Sequence, residues 1–67
     1  MFDKLKCYGI LEEYRKKQGW TKAFLTKSLR IAFSTYERLG DKDCVKPTSE
    51  MTQKKLLSFI KRKELAL

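Results

Sequence analysis

The chain has 67 residues, with 16 Lys and Arg against 8 Asp and Glu, which gives a formal net charge of +8. This length leaves room for a single domain, residues 1–67, with a net stability of only ~3–5 kcal/mol, and excludes a deep active-site cleft beside a core. The hydrophobic fraction of 42% excludes general disorder, and the positive charge favours an anionic partner. A merely solvated, lysine-rich surface is the simpler alternative.

The residue types present argue against an enzyme, a metal site or a bound cofactor. Histidine is absent, Cys7 and Cys44 are far apart, and no glycine-rich phosphate loop occurs. We expect Cys7 to be a buried thiol and Cys44 to lie in a polar loop. No apolar run approaches the roughly 18–20 residues that cross a bilayer, and the N-terminus lacks the apolar stretch of a secretory signal. A cytoplasmic protein with no membrane partner is therefore expected.

Apolar residues recur at helical spacing along the chain, which predicts an all-α fold. The first helix begins at residue 3 or 8 and runs to Lys17, and Gly19 ends it after a basic last turn. The second helix is predicted over Lys22–Leu29, with Thr21 as its N-cap. The residues of the first helix that share one face are Cys7, Ile10, Leu11 and Tyr14.

A third helix is predicted over about residues 32–39, and Gly40 ends it. The spacing of Ser34 and Glu37 is that of a capping box, so a start at Ser34 is the alternative to a start at Ala32. After a polar loop, the sequence Pro47-Thr48-Ser49-Glu50 predicts a fourth helix that runs to about Lys63. Its predicted apolar stripe is Leu56, Leu57, Phe59 and Ile60. We expect a compact bundle of four short helices, or five if a further helix follows.

The spacing of the apolar residues in the middle of the chain is specific. Leu25, Leu29, Ile31, Tyr36 and Leu39 are separated by steps of 4, 2, 5 and 3 residues. One continuous helix does not place these side chains on a single face, whereas two short helices that cross after a tight turn do. The pattern therefore predicts a helix-turn-helix.

Three segments in register resemble the Cro/phage-repressor (XRE-like) helix-turn-helix family, over about residues 11–60. Leu11–Thr21 resembles the family's first helix and the start of its second, and Leu25–Leu39 resembles its motif. Lys46-Pro47-Thr48 resembles the Lys-Pro-Ser that precedes the family's fourth helix. Two positions depart from the family pattern, because Thr26 stands where alanine is usual and Arg30 where glycine is usual. A non-glycine residue in a left-handed turn costs on the order of 1 kcal/mol.

The resemblance implies a sequence-specific regulator of transcription that binds double-stranded DNA, of the kind that phages and mobile elements encode as repressors. Binding as a homodimer and association with the nucleoid follow from the same resemblance. It implies that Phe33, Ser34 and Arg38 read base edges. The residues that would contact phosphate are Thr21, Lys22, Lys27, Arg30, Thr35, Lys42 and Lys46.

The charge distribution agrees with this interpretation, because residues 15–36 contain six basic residues and no acidic one. Each assignment has a structural alternative: Phe33 can belong to the core and Ser34 can serve as a cap. Glu37 would repel phosphate unless it pairs with Arg38, accepts from a cytosine amino group or acts as a cap.

A second hypothesis is a protein-interaction module on the same fold, either an antirepressor or a subunit of a nucleoprotein assembly. A recombination directionality factor, which bends DNA and contacts a recombinase, lies between the two. Those factors more often have strands beside the motif.

Overall fold

The computed structural model describes residues 2–44 and 46–65, in which four helices follow one another. They are α1 (Lys4–Gln18), α2 (Lys22–Leu29), α3 (Phe33–Leu39) and α4 (Glu50–Arg62). The predicted all-α fold class is confirmed, since the described residues contain no strand. None of these helices is both long and apolar enough to cross a membrane.

Three of the helices begin with a side chain that caps their first turn. Asp3 Oδ1 accepts from the Lys6 amide at 3.1 Å, so α1 starts at the earlier of the two predicted positions. Thr21 Oγ1 accepts from the amide of residue 24 at 3.1 Å, as predicted, and Ser49 Oγ accepts from that of residue 52 at 3.2 Å. These acceptors satisfy amides that have no partner within the helix, which fixes where each helix begins.

The start of α3 differs from the capping-box prediction. Ala32 occupies the N-cap position without a side-chain hydrogen bond, and the helix begins at Phe33. Ser34 therefore lies within the first turn, and its predicted capping role is wrong. Glu37 does not act as a cap either, because its carboxylate pairs with Lys22 instead. The reason is tertiary: helix formation from Phe33 turns Tyr36 and Leu39 into the core, and this burial outweighs the missing cap.

Three helix ends share one hydrogen-bond pattern, the Schellman motif. A residue in the left-handed region, Gly19, Arg30 or Glu64, follows each helix with φ between 56° and 73°. The amide of the next residue then bonds to the carbonyl five residues earlier, at 3.0 Å for Trp20, 3.1 Å for Ile31 and 2.9 Å for Leu65. These three apolar residues pack against the core. Each motif therefore ends a helix and anchors the chain beyond it.

Gly40 ends α3 for a different reason. Its φ of −88° is accessible to any residue. A Cβ at this position would lie 2.7 Å from the Tyr8 ring, which in turn lies 5.0 Å from the ring of Tyr36, centroid to centroid. A larger residue than glycine at position 40 would therefore force the Tyr8 ring to shift.

The core lies where the four helices meet, and every helix contributes to it. The predicted inward face of the helix-turn-helix is confirmed for four of its residues, and Ile31 is half-buried against the same cluster. The Thr26 hydroxyl donates to the Ala23 carbonyl at 3.0 Å, which satisfies this buried polar group where the resembled family has alanine. The buried apolar residues are Cys7, Leu11, Leu25, Leu29, Tyr36, Leu39, Leu56, Phe59 and Ile60.

The packing corrects one sequence prediction about α4. Leu57 was expected in the apolar stripe, but 39% of its surface is exposed, because the buried face is centred on Leu56 and Ile60. The helix ends at Arg62, in agreement with the predicted end near Lys63, and Glu64 in the left-handed region follows it. Both thiols are free, with Cys7 buried as expected and Cys44 half-buried. Burial, together with Asp3, raises the pKa of Cys7 to about 11.

Replacing Arg30 with glycine is expected to stabilise the fold by about 1 kcal/mol, which raises the melting temperature by roughly 4–8 °C. Arg30 has φ 60° and ψ 42°, and glycine adopts this conformation without the steric cost that other residues incur. Thermal unfolding followed by circular dichroism measures the effect. Arg30→Ala is the control, because it removes the same side chain and keeps the strain. Equal melting temperatures for the two variants would contradict the prediction.

Candidate nucleic-acid interface

A polar network on α1 holds the inner face of α3 in place. Glu12 accepts from Arg15 at 2.8 and 3.0 Å and from the Tyr36 hydroxyl at 2.6 Å. Arg15 Nη1 also donates to the Trp20 carbonyl at 2.7 Å. The network therefore joins the inner face of α3 to α1 and to the turn before α2. Sequence reasoning missed it, because Glu12 and Tyr36 lie 24 residues apart.

The network also changes the titration of its members. The two hydrogen bonds from Arg15, and to a lesser degree that from Tyr36, lower the pKa of Glu12 against the opposing effect of burial. Burial and the hydrogen bond to Glu12 raise the pKa of Tyr36. At neutral pH the carboxylate is therefore ionised and the phenol is protonated, which is the pairing that this geometry requires.

The outer face of α3 presents four side chains to solvent: Phe33, Ser34, Glu37 and Arg38. Their spacing of one, three and four residues puts them on one side of the helix, opposite the buried Tyr36. Phe33 is 49% exposed, so it is outside the core. The three residues that the resemblance assigns to base edges thus lie on one accessible face, together with Glu37.

Glu37 forms an ion pair across the helix-turn-helix. Lys22 Nζ, at the first residue of α2, lies 3.3 Å from Glu37 Oε1 and 6.0 Å from the centroid of the Tyr8 ring. An ion pair with Arg38 was one of the alternatives predicted for Glu37, and Lys22 is the observed partner. The phosphate contact of Lys22 stays a prediction. The observed pair offsets the negative charge in the middle of the outer face.

Arg38 lies beside a cleft between α3 and the segment that leads into α4. The cleft has a volume of about 160 Å³ and brings together two residues predicted to contact phosphate, Thr35 and Lys46, with the predicted base reader Arg38. Thr48 and Ser49 also line it, and sequence reasoning did not include them. The polar side chains that line the cleft are therefore basic or carry hydroxyl groups, which are the groups that bind phosphate oxygens.

Lys4 supports this region from α1. Its ammonium donates to three backbone carbonyls beyond or at the end of α3: Arg38 at 3.4 Å, Asp41 at 3.0 Å and Cys44 at 2.6 Å. A cation at a helix C-terminus is also favoured by the helix dipole. Lys4 thus holds the loop after α3 against α1, a role with no local sequence signal.

The other predicted phosphate contacts are dispersed. Thr21 is exposed at the start of α2, Lys27 is exposed on its outer face, and Lys42 lies in the turn after α3. Arg30 lines a different cleft, between α2 and α4. The structure therefore brings Thr35, Arg38 and Lys46 together and leaves Lys27, Arg30 and Lys42 apart from that cleft.

Comparisons with known proteins do not add to this description. No protein-family model matches the chain, and no match is found among curated proteins or solved structures.

Proposed function

We propose that this protein binds double-stranded DNA sequence-specifically, with α3 in the major groove, and regulates transcription as a small repressor of the Cro type. Phages and mobile elements are the sources that the sequence resemblance suggests. The observation that carries the proposal is the outer face of α3, where Ser34 and Arg38 are exposed and where Arg38 lines the same cleft as Lys46. The major groove of DNA admits an α-helix, and an arginine on such a helix can donate two hydrogen bonds to guanine.

The charges around this face support the same proposal. The chain carries +8, residues 15–36 contain no acidic residue, and the one acidic residue on the outer face of α3 is paired with Lys22. Thr21, Thr35 and Lys46 supply hydroxyl and ammonium groups for phosphate at either side of α3. Such contacts set the position of a protein on DNA, while groups on the helix face distinguish bases.

Arg38→Ala is expected to abolish preference at one base position and to cost about 1–3 kcal/mol in binding to the preferred site. The reason is the loss of a two-pronged donor to one base, while the contacts to phosphate remain. Selection from random duplexes with each protein identifies the site, and fluorescence anisotropy then measures affinities for the site and its single-base variants.

Lys46→Ala is the matched control, because it removes a cation from the same cleft without changing α3. This variant is expected to weaken binding to all duplexes alike. It is also expected to reduce the slope of log affinity against log salt concentration by about 1, because one fewer phosphate is neutralised. Selection that yields no preferred sequence from the unaltered protein would rule out sequence-specific DNA binding.

The second candidate function is a protein-interaction module, and the half-exposed Phe33 favours it. Exposed aromatic side chains are enriched in protein interfaces, and a carboxylate such as Glu37 on the same helix face suits phosphate-rich DNA less well. Salt separates the two functions. DNA affinity falls steeply between about 50 and 200 mM salt, whereas binding through Phe33 to a protein partner changes little.

A further inference from the structure

A second basic cleft lies away from α3, between the second half of α2 and the middle of α4. Its volume is about 330 Å³, and α3 contributes none of its described lining residues. Among the residues that the structure describes, no acidic side chain lines this cleft. The polar and aromatic side chains around it are Ser28, Arg30, Lys55, Ser58, Phe59 and Arg62.

Two of the cations are held in place by the surrounding structure. Lys55 Nζ donates to the carbonyl of Arg30 at 2.9 Å, across the cleft from α4 to the end of α2. The guanidinium of Arg62 lies 5.8 Å from the centroid of the Phe59 ring, within the range of a cation–π interaction. Cations that are positioned before binding lose less side-chain entropy when an anion arrives.

An exposed aromatic residue lies next to the cleft. Phe24 is 51% exposed and is one helical turn before Ser28 on α2. The centroid of the Phe24 ring lies 4.8 Å from that of Trp20. The ring of Tyr14 in turn lies 5.5 Å from that of Trp20 and 5.9 Å from that of Phe59. Phe59 is buried, and Tyr14 and Trp20 are partly buried against the core. Phe24 is therefore the exposed aromatic residue of this row, and it lies one turn of α2 from the basic cleft.

We propose that the cleft and Phe24 together bind an acidic segment of a partner protein, with carboxylates in the cleft and an apolar side chain on Phe24. Charge complementarity carries the choice of occupant. A second copy of this chain would bring a further charge of +8 against a basic surface. A DNA backbone would leave Phe24 without an apolar partner. The proposal does not depend on DNA binding by α3.

The test uses adjacent residues of α4 that differ in which side of the helix they occupy. Lys55→Gln/Arg62→Gln removes two charges from the cleft, and Lys54→Gln/Lys61→Gln removes two from positions that do not line it. The probe is a fluorescein-labelled peptide in which glutamates alternate with leucine and phenylalanine, followed by anisotropy. We expect the cleft pair to raise the Kd about tenfold or more and the control pair to raise it less than about threefold.

A second measurement needs no substitution and does not depend on the stability of the variants. Addition of the peptide to the isotopically labelled wild-type protein is expected to shift the amide resonances of Ser28 and Ser58 more than those of α3. Equal losses for the two variant pairs, or shifts centred on α3, would overturn the proposal. A larger loss of duplex DNA affinity for the cleft pair than for the control pair would assign the cleft to nucleic acid instead.

Discussion

Leu56→Ala is expected to lower the free energy of unfolding by about 2–5 kcal/mol. Leu56 is fully buried at the centre of the inner face of α4, so truncation removes apolar contacts and leaves a cavity. A domain of this size has only ~3–5 kcal/mol of stability in total, so much of the variant is expected to be unfolded at room temperature. Urea denaturation followed by circular dichroism measures the loss.

The neighbouring residue provides the control. Leu57→Ala makes the same chemical change at the next position, where 39% of the residue is exposed, and is expected to lower the free energy of unfolding by only about 1 kcal/mol. Similar losses for the two variants would mean that α4 is rotated about its axis relative to the structure described above.

Glu12→Ala is expected to lower the free energy of unfolding by about 2–4 kcal/mol. Only 14% of the Glu12 side chain is exposed, and its removal leaves Arg15 without its carboxylate and the buried Tyr36 hydroxyl without its acceptor. Partners left unpaired in this way account for most of the cost. Glu13→Ala, at the adjacent exposed position, is expected to have little effect.

Protonation of the same carboxylate is expected to make the stability of the protein depend on pH. Hydrogen bonds from Arg15 hold the pKa of Glu12 in the folded state below that of an unperturbed glutamate. Its contribution is therefore complete above the unfolded pKa and is lost as the pH falls through the folded one. Denaturation at a series of acidic pH values is expected to give a steeper decline for the wild type than for Glu12→Ala. Parallel curves would show that Glu12 is not the group responsible.

Sequence reasoning was most successful where local chemistry decides the structure. Thr21 caps α2 through its own hydroxyl group, as predicted, and Gly19 ends α1 through its own backbone conformation. The start of α4 was also predicted from Pro47-Thr48-Ser49-Glu50, and Ser49 is its cap. The apolar spacing from Leu25 to Leu39 likewise predicted two crossed helices. Phosphate and base contacts remain predictions, because the surface chemistry is compatible with more than one partner.

What the sequence determined by itself is the all-α fold, the position of each helix to within a few residues and the inward face of the helix-turn-helix. Only the tertiary structure decided that α3 begins at Phe33 without a side-chain cap and that Lys22 pairs with Glu37. It also decided that Glu12 bonds to Tyr36. The physical reason is distance along the chain: caps and helix ends depend on residues within one turn. Burial and ion pairing depend on residues that meet only when the helices pack.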